Sequence, residues 1–387
     1  MNNDVQPSCL RVLTYNVHSF SNDRFENTLK TIAQTIQKWS PHIVALNEAV
    51  ISFDEHDISS NADANGVNTA HGVRSDVCRH ESRLAKLARW LGMNYCFAEA
   101  DWSTFGNAIL SKYPIQGYHS HTALTYSATR SILFANVLVP NDELYSSNSP
   151  PQPQPQLQPQ LQPQLQPQLQ PQLQPQPQPQ LQLQPQPQPH LSLVQSSPEA
   201  KLPSSSQPPL IQSPPEAKLL PSCVKPSHAS VTIPICCTHL DYRSEVTRQL
   251  QMAKFLEFMK PHPSHILVGD LNALRRSDYS DGEWERIARV RDQHSWEDAK
   301  DDLMRELDNL GYTDASTAAQ EHFGPKFTAH TRLPMYKIDY VLCSAGLPFK
   351  PLRSWIDQDA KGSDHMPLII DLEIDPSWKE DRAQSKM

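Results

Sequence analysis

Five short segments of this 387-residue chain place an oxygen- or imidazole-bearing side chain directly after an apolar run. They are Thr14-Tyr15-Asn16, Leu46-Asn47-Glu48, Thr238-His239-Leu240-Asp241, Gly269-Asp270-Leu271-Asn272 and Ser363-Asp364-His365. Ile338-Asp339-Tyr340 is a further one inside a strand-like stretch. Singly, each has a plain structural reading: Asn16 can cap a turn, Glu48 can pair with a lysine, and His239 can be a satisfied core histidine. The repetition carries the information. A strand that ends in a carboxylate leaves its charge at the rim of a sheet, and several such strands can converge on one hard cation. Histidines beside those carboxylates then offer groups that exchange protons near neutral pH.

The elements that must position these groups follow from periodicity. Leu10 to Val17 is a β-rich apolar run. Arg24 to Trp39 has apolar positions at helical spacing (Phe25, Leu29, Ile32, Ile36), ended by Pro41, and His42 to Leu46 reads as a second buried strand. Residues 52–76 are polar and read as a long surface loop, of a kind that is often functional. A helix is predicted at Arg79–Leu91, followed by strands at Tyr95–Glu99, Asn107–Ser111, Gln116–His121 and Arg130–Val139. Farther along come a strand at Val231–Thr238, a helix at Glu245–Met259, a strand at His265–Val268 and a helix near Trp296–Leu310. Strands at Ile338–Cys343, Arg353–Ile356 and Leu368–Ile374 complete the series. Strands with interleaved helices predict an α/β layered fold. The arginines of 275–295 (Arg275, Arg276, Arg286, Arg289 and Arg291) alternate with Asp278, Asp281, Glu283 and Glu285, and read as a solvated, salt-bridged loop and helix.

Residues 146–230 interrupt this pattern. Gln-Pro-Gln-Leu repeats with a period of four, and Pro-Glu-Ala-Lys-Leu occurs at 198–202 and again at 215–219. Proline at that density blocks helix and sheet ladders, so a disordered, partly polyproline-II coil is expected. It reads either as a track for a Pro-binding protein partner or as a repeat expansion in a tolerant loop, where closure cost rises only slowly with length. The domain organisation expected is therefore 1–145 and 231–376 as two halves of one catalytic domain, 146–230 as the insert, and 377–387 as a polar tail. Outside the insert roughly 300 residues remain, enough for a large core.

The formal net charge is −8, and the insert carries three lysines against two glutamates, so the rest of the chain is near −9. An acidic body offers no broad basic stripe for counterion release, so a nucleic-acid substrate would depend on bound metal for much of its attraction. Seven cysteines without C-x-x-C spacing predict reduced thiols. The opening Met1-Asn2-Asn3-Asp4 carries no secretory signal pattern, and no apolar run reaches the length of a membrane helix. An intracellular protein, cytoplasmic or nuclear, is the expectation.

In order and content these motifs, together with Gly106-Asn107-Ala108-Ile109-Leu110-Ser111-Lys112-Tyr113-Pro114-Ile115, resemble the endonuclease/exonuclease/phosphatase (DNase I-like) superfamily. The resemblance covers nearly all of the chain outside the insert. It implies a four-layer sandwich of two mixed β-sheets flanked by helices, and hydrolysis of phosphate esters with Mg²⁺, for which Mn²⁺ can substitute. It implies Glu48 as the principal metal ligand, with Asp364 and Asn16 beside the ion. Asp270 would orient or deprotonate the attacking water, with Asn272 steadying water and phosphate oxygen. His365 would face the phosphate, held by Asp339. His239 matches a second histidine of the DNase-like and phosphatase branches, with Glu99 its partner by position. Asn107 and Arg130 match phosphate-binding positions. An aspartate base near its ordinary pKa is weak, which leaves much of the activation to metal and positioning. Asn47 stands where the family commonly has Gln, and Tyr15 where the apurinic-endonuclease branch has Trp; with His239 in place of tyrosine, this disfavours a DNA-repair role. The substrates left open are nucleic acid, phosphoinositide and small phosphodiesters. The rival class is a catalytically inactive member of the fold acting through its Pro-Gln track.

Overall fold

Alternation along the first strand sets the architecture. In β1 (Cys9–Asn16), Leu10, Val12 and Asn16 point to one face, while Arg11, Leu13 and Tyr15 point to the other. Both faces are buried, because a second sheet covers one and helices the other. The computed structural model describes residues 9–22, 24, 26–51, 81–100, 105–123, 129–141, 143 and 230–374. The elements after β1 are α1 (Leu29–Trp39), β2 (Ile43–Val50), α2 (Arg83–Leu91), β3 (Asn94–Glu99), β4 (Phe105–Ser111), β5 (Ile115–Ala123) and β6 (Arg130–Pro140). Then follow β7 (Ser230–Thr238), α3 (Glu245–Met259), β8 (Ile266–Asp270), α4 (Asp281–Gln293), α5 (Asp302–Asn309), β9 (Thr313–Asp314) and α6 (Ala315–Ala318). The last are β10 (Glu321–Phe323), β11 (Asp339–Cys343), β12 (Phe349–Ile356) and β13 (Leu368–Ile374).

Among the described residues the strands form two mixed sheets. One has seven strands in the order β10-β12-β13-β1-β2-β4-β3, and the other six in the order β5-β6-β7-β8-β11-β9. Leu10, Val12, Ile43 and Ile109 of the first meet Leu133, Ile235, Val268 and Val341 of the second in the central core. α1 and α2 cover the outer face of the seven-stranded sheet, with Ile32, Ile36 and Leu87 against Leu13, Tyr15 and Leu46. α3 and α5 cover the six-stranded sheet, with Phe255, Met259 and Leu307 against Phe134, Cys236 and Leu267. The four layers are helix, sheet, sheet, helix, as the motifs implied.

Several predicted boundaries shift. α1 begins at Leu29 rather than Arg24. The helix predicted at Trp296–Leu310 is confined to α5, and a longer helix, α4, occupies the charged stretch before it. α4 is capped by a reciprocal Ser280/Glu283 box, a start signal independent of apolar periodicity. The polar loop at 52–76, the tail after 374, and the insert up to residue 229 lie outside the described residues. The strands that flank the insert pair antiparallel, from Ile132↔Thr238 to Pro140↔Ser230. Five cysteines are free and buried among the described residues. No helix there is long and apolar enough to cross a membrane.

Candidate active site

The polar segments meet where both sheets end. Asn16 closes β1, Asp270 closes β8, His239 follows β7, and Asp364 and His365 precede β13; all line one cleft of about 820 Å³. Glu48 arrives differently. It sits inside β2, where the ladder to β4 shifts register between Leu46 and Ala49, and its backbone is left-handed (φ 56°). A bulge re-aims a side chain at a modest conformational cost, which is common next to working sites. It is this kink, not a strand end, that turns Glu48 into the cleft.

Asn47 locks the bulge in place. Its Nδ2 donates to Asn107 Oδ1 (2.8 Å) and to the Thr238 carbonyl (3.0 Å), and its Oδ1 accepts the Asp270 N–H (2.8 Å). One fully buried amide thus joins the strands carrying Glu48, His239 and Asp270. Gly269 is needed beside it: a Cβ there would meet the Thr238 carbonyl at 2.0 Å, and φ is +136°. Two expected site residues belong to this scaffold or lie apart from the cleft. Asn107 is buried and its amide is fully engaged by Asn47 and by Ser131, so it is not exposed to a phosphate. Glu99 is exposed, because strand alternation turns Ala98 inward and Glu99 outward.

Asn16 Nδ2 donates to Glu48 Oε1 (3.2 Å) and Asp270 Oδ2 (3.1 Å), and its Oδ1 accepts the His18 N–H (3.1 Å), which leaves that oxygen one lone pair. Asp364 lies between two histidines the sequence reading missed, with Oδ1 3.3 Å from His18 Nδ1 and Oδ2 3.2 Å from His330 Nδ1. Burial alone would raise the Asp364 pKa, but hydrogen bonds from His18 and His330 and the charge of His365 hold it well below the carboxylate range. His18 stands two residues after Asn16, so strand-end spacing signals it; His330 comes from a loop without periodic signal.

Asp270 Oδ1 accepts the Asn272 N–H (2.9 Å), and Asn272 has left-handed backbone (φ 49°). Asp270 Oδ2 lies 3.5 Å from His239 Nε2 and 3.8 Å from His365 Nε2. Burial, and then the charge of Asp339, push the Asp270 pKa up, so the weak base expected from the sequence becomes a stronger one. Behind His365, Asp339 Oδ2 contacts Nδ1 at 2.8 Å. Burial would lower the His365 pKa, but the Asp339 charge and hydrogen bond, with Asp270 and Asp364 behind them, raise it above its ordinary value.

His239 is the counterpart. Its Nδ1 faces Arg130 Nη1 at 3.3 Å, the position in which Glu99 was expected. An arginine only donates, so Nδ1 must accept, and the ring's single proton sits on Nε2, aimed at Asp270. Burial, followed by the charges of Arg130 and His365, lowers the His239 pKa far below its ordinary value. Asn272 Nδ2, 3.1 Å from Nε2, has the Leu240 carbonyl as its acceptor (3.1 Å).

The donor chemistry fits a hard divalent cation. Glu48 and Asp364 present carboxylate oxygens at the cleft, 23% and 30% exposed, and Mg²⁺ favours one or two carboxylates plus waters and phosphate oxygens.

A family model described as the Endonuclease/Exonuclease/phosphatase family matches residues 13–365. No curated protein matches the chain. Among solved structures, an endonuclease/exonuclease/phosphatase family protein from Bacteroides thetaiotaomicron is 12% identical, with TM-score 0.52 over 96% of this chain and 99% of that one. A Beutenbergia cavernae endonuclease/exonuclease/phosphatase is 15% identical, with TM-score 0.51 over 95% of this chain and 72% of that one. A mannosyl-6-phosphatase from Bacteroides thetaiotaomicron is 11% identical, with TM-score 0.50 over 94% and 99%. At these identities the likeness establishes a shared fold.

Proposed function

Because the chain belongs to the endonuclease/exonuclease/phosphatase family, we propose that it is a Mg²⁺-dependent phosphoesterase that hydrolyses phosphodiesters by in-line attack of water on phosphorus. The observation that carries this reading is the meeting of Asp270 and His365 with Glu48 and Asp364 in one cleft, although they come from distant parts of the chain. Held by Glu48 and Asp364, with Asn16 Oδ1 in reserve, Mg²⁺ would neutralise phosphate charge and make water more acidic, and Mn²⁺ would serve in its place.

The protein's own groups divide the proton work. Asp270 takes the proton of the attacking water, which its raised pKa favours. His239 Nε2–H and the Asn272 N–H steer the Asp270 carboxylate. His365, protonated and braced by Asp339, gives its Nε2 proton to the leaving oxygen as the P–O bond breaks. Arg130 works through His239: it fixes the tautomer, and its cation lies at the cleft to favour phosphate.

Hydrolysis of bis(p-nitrophenyl) phosphate by the full chain, with Mg²⁺ and with EDTA, tests the reading. Activity should require the metal, and His365→Ala should lower turnover ~100-fold or more. Undiminished activity in that variant removes the mechanism. A Mg²⁺ titration that leaves the unfolding midpoint unmoved, with no turnover, would favour a non-catalytic scaffold instead.

A further inference from the structure

The cleft extends past the phosphate-handling groups to a wall they do not use. Tyr242 and Trp296 line it, yet each is about half exposed, 55% and 51%. Large rings that open to water gain little for the fold. The backbone segments that carry them are nonetheless tied to each other by one largely buried polar network.

The network runs from the segment of one ring to the turn of the other. Trp296 N donates to the Arg291 carbonyl (2.8 Å), and the next residue, Glu297, accepts the Glu245 N–H through Oε2 (2.6 Å). Glu245 pairs with Arg248 (2.7 Å), both nearly inaccessible, and Arg248 Nη1 donates to the Asp241 carbonyl (3.0 Å). Asp241 Oδ1 then accepts the N–H groups of Arg243 (2.8 Å) and Ser244 (2.9 Å), fixing the turn that carries Tyr242. Each ring is also backed: the Arg243 guanidinium lies 5.0 Å from the Tyr242 centroid, and His294 stacks on Trp296 at 5.0 Å and 27°.

Resting on the phosphoesterase reading above, we propose that this wall is a subsite for a flat aromatic ring carried by a small phosphate ester, with Tyr242 and Trp296 as its stacking surfaces. Aromatic rings that are preorganised and partly solvated bind planar groups with little ordering cost. Arg243, Ser295 and Glu297 share the lining, which suits a ring with polar edges better than an alkyl chain. The net charge near −9 outside the insert favours a small ester over a long polyanion.

Calorimetric titration of the full chain in Mg²⁺ with adenosine 5′-monophosphate, O-phosphotyrosine and ribose 5-phosphate tests the subsite without requiring turnover. At least one ring-bearing ester should bind about tenfold or more tightly than ribose 5-phosphate. The tighter of the two assigns the ring to a nucleobase or to a phenol. Trp296→Ala and Tyr242→Ala should each weaken that ester about tenfold and leave ribose 5-phosphate unchanged. Trp296→Phe, which keeps a ring, should retain most of the affinity. Equal binding of all three, no binding of either ring-bearing ester, or alanine variants with unaltered affinity would overturn the subsite. Such a failure alongside intact hydrolysis leaves the phosphoesterase reading standing; ring-dependent binding with no hydrolysis of any ester refutes only the latter.

Discussion

Two buried charged networks occupy opposite faces of the same strand, and they are built to opposite rules. Arg11 points under α1, where Nε and Nη2 grip both oxygens of Asp371 (2.7 and 2.9 Å) and Nη1 reaches the Trp39 carbonyl (3.0 Å). Arg353 adds a second cation to Asp371 at 2.9 Å, and His42 Nδ1 accepts the Arg11 N–H. Five residues away, about 16 Å along the strand, Asn16 points into the cleft. There, Asp270 and Asp339 share one imidazole, Asp270 sees both histidines only at 3.5 and 3.8 Å, and Asp339 Oδ1 has no hydrogen-bond partner among the described residues. Burial and charge are common to both. What separates them is that one network is closed on its central carboxylate and sealed, whereas the other leaves opposing charges loosely paired and open to a ligand.

The comparison can be broken most directly at Asp371. Asp371→Ala strands two buried guanidinium groups, so chemical denaturation should show a loss of about 3–5 kcal/mol. Turnover per folded molecule should stay within about twofold, because distant sites couple weakly. Asp270→Asn should do the reverse: turnover falls ~100-fold or more, while the melting temperature of the metal-free protein holds or rises, since a charge disfavoured by burial and by Asp339 has been removed. A large loss of stability in that variant would erase the distinction.

The smallest effect is in pH. Burial, with Lys112 and Arg11 nearby, lowers the His42 pKa from 6.5 to about 4. The unfolded chain binds the extra proton in that window, so the contribution is complete above pH 6.5 and is lost as pH falls toward 4, on the order of 3 kcal/mol. His42→Asn, whose amide oxygen can still take the Arg11 N–H, should flatten that part of the stability profile.

Legibility in the sequence followed the same division. β13 lies at the predicted position because its apolar run is buried in the core, the property that such a run reports. α3 keeps its predicted bounds although its first turns bury Glu245, Arg248 and Gln251 and leave Val246 and Leu250 exposed; only Met252, Phe255 and Met259 are buried in the core at the spacing the sequence suggested. α4 was blurred because its surface is charged, and Trp296 misplaced the next helix because a half-exposed tryptophan reads as core. Asn16, Asp270, Asn272, Asp364 and His365 were visible as polar groups after apolar runs. The bulge at Glu48 was not, since a left-handed glutamate leaves no compositional trace. Nor was the exchange of partners around His239: Arg130 replaces Glu99 through a contact across β6 and β7 that linear order does not encode.

The pairing of Pro140 with Ser230 places both anchors of the Pro-Gln insert on one rung of a ladder, at the end of β6 remote from Arg130, about 30 Å away along the strand. Such an exit behaves as a graft port. Variants made with more or fewer copies of the tetrapeptide should keep both anchors on that rung and share one cleft geometry. The same rung is a natural point at which to splice in a fluorescent reporter.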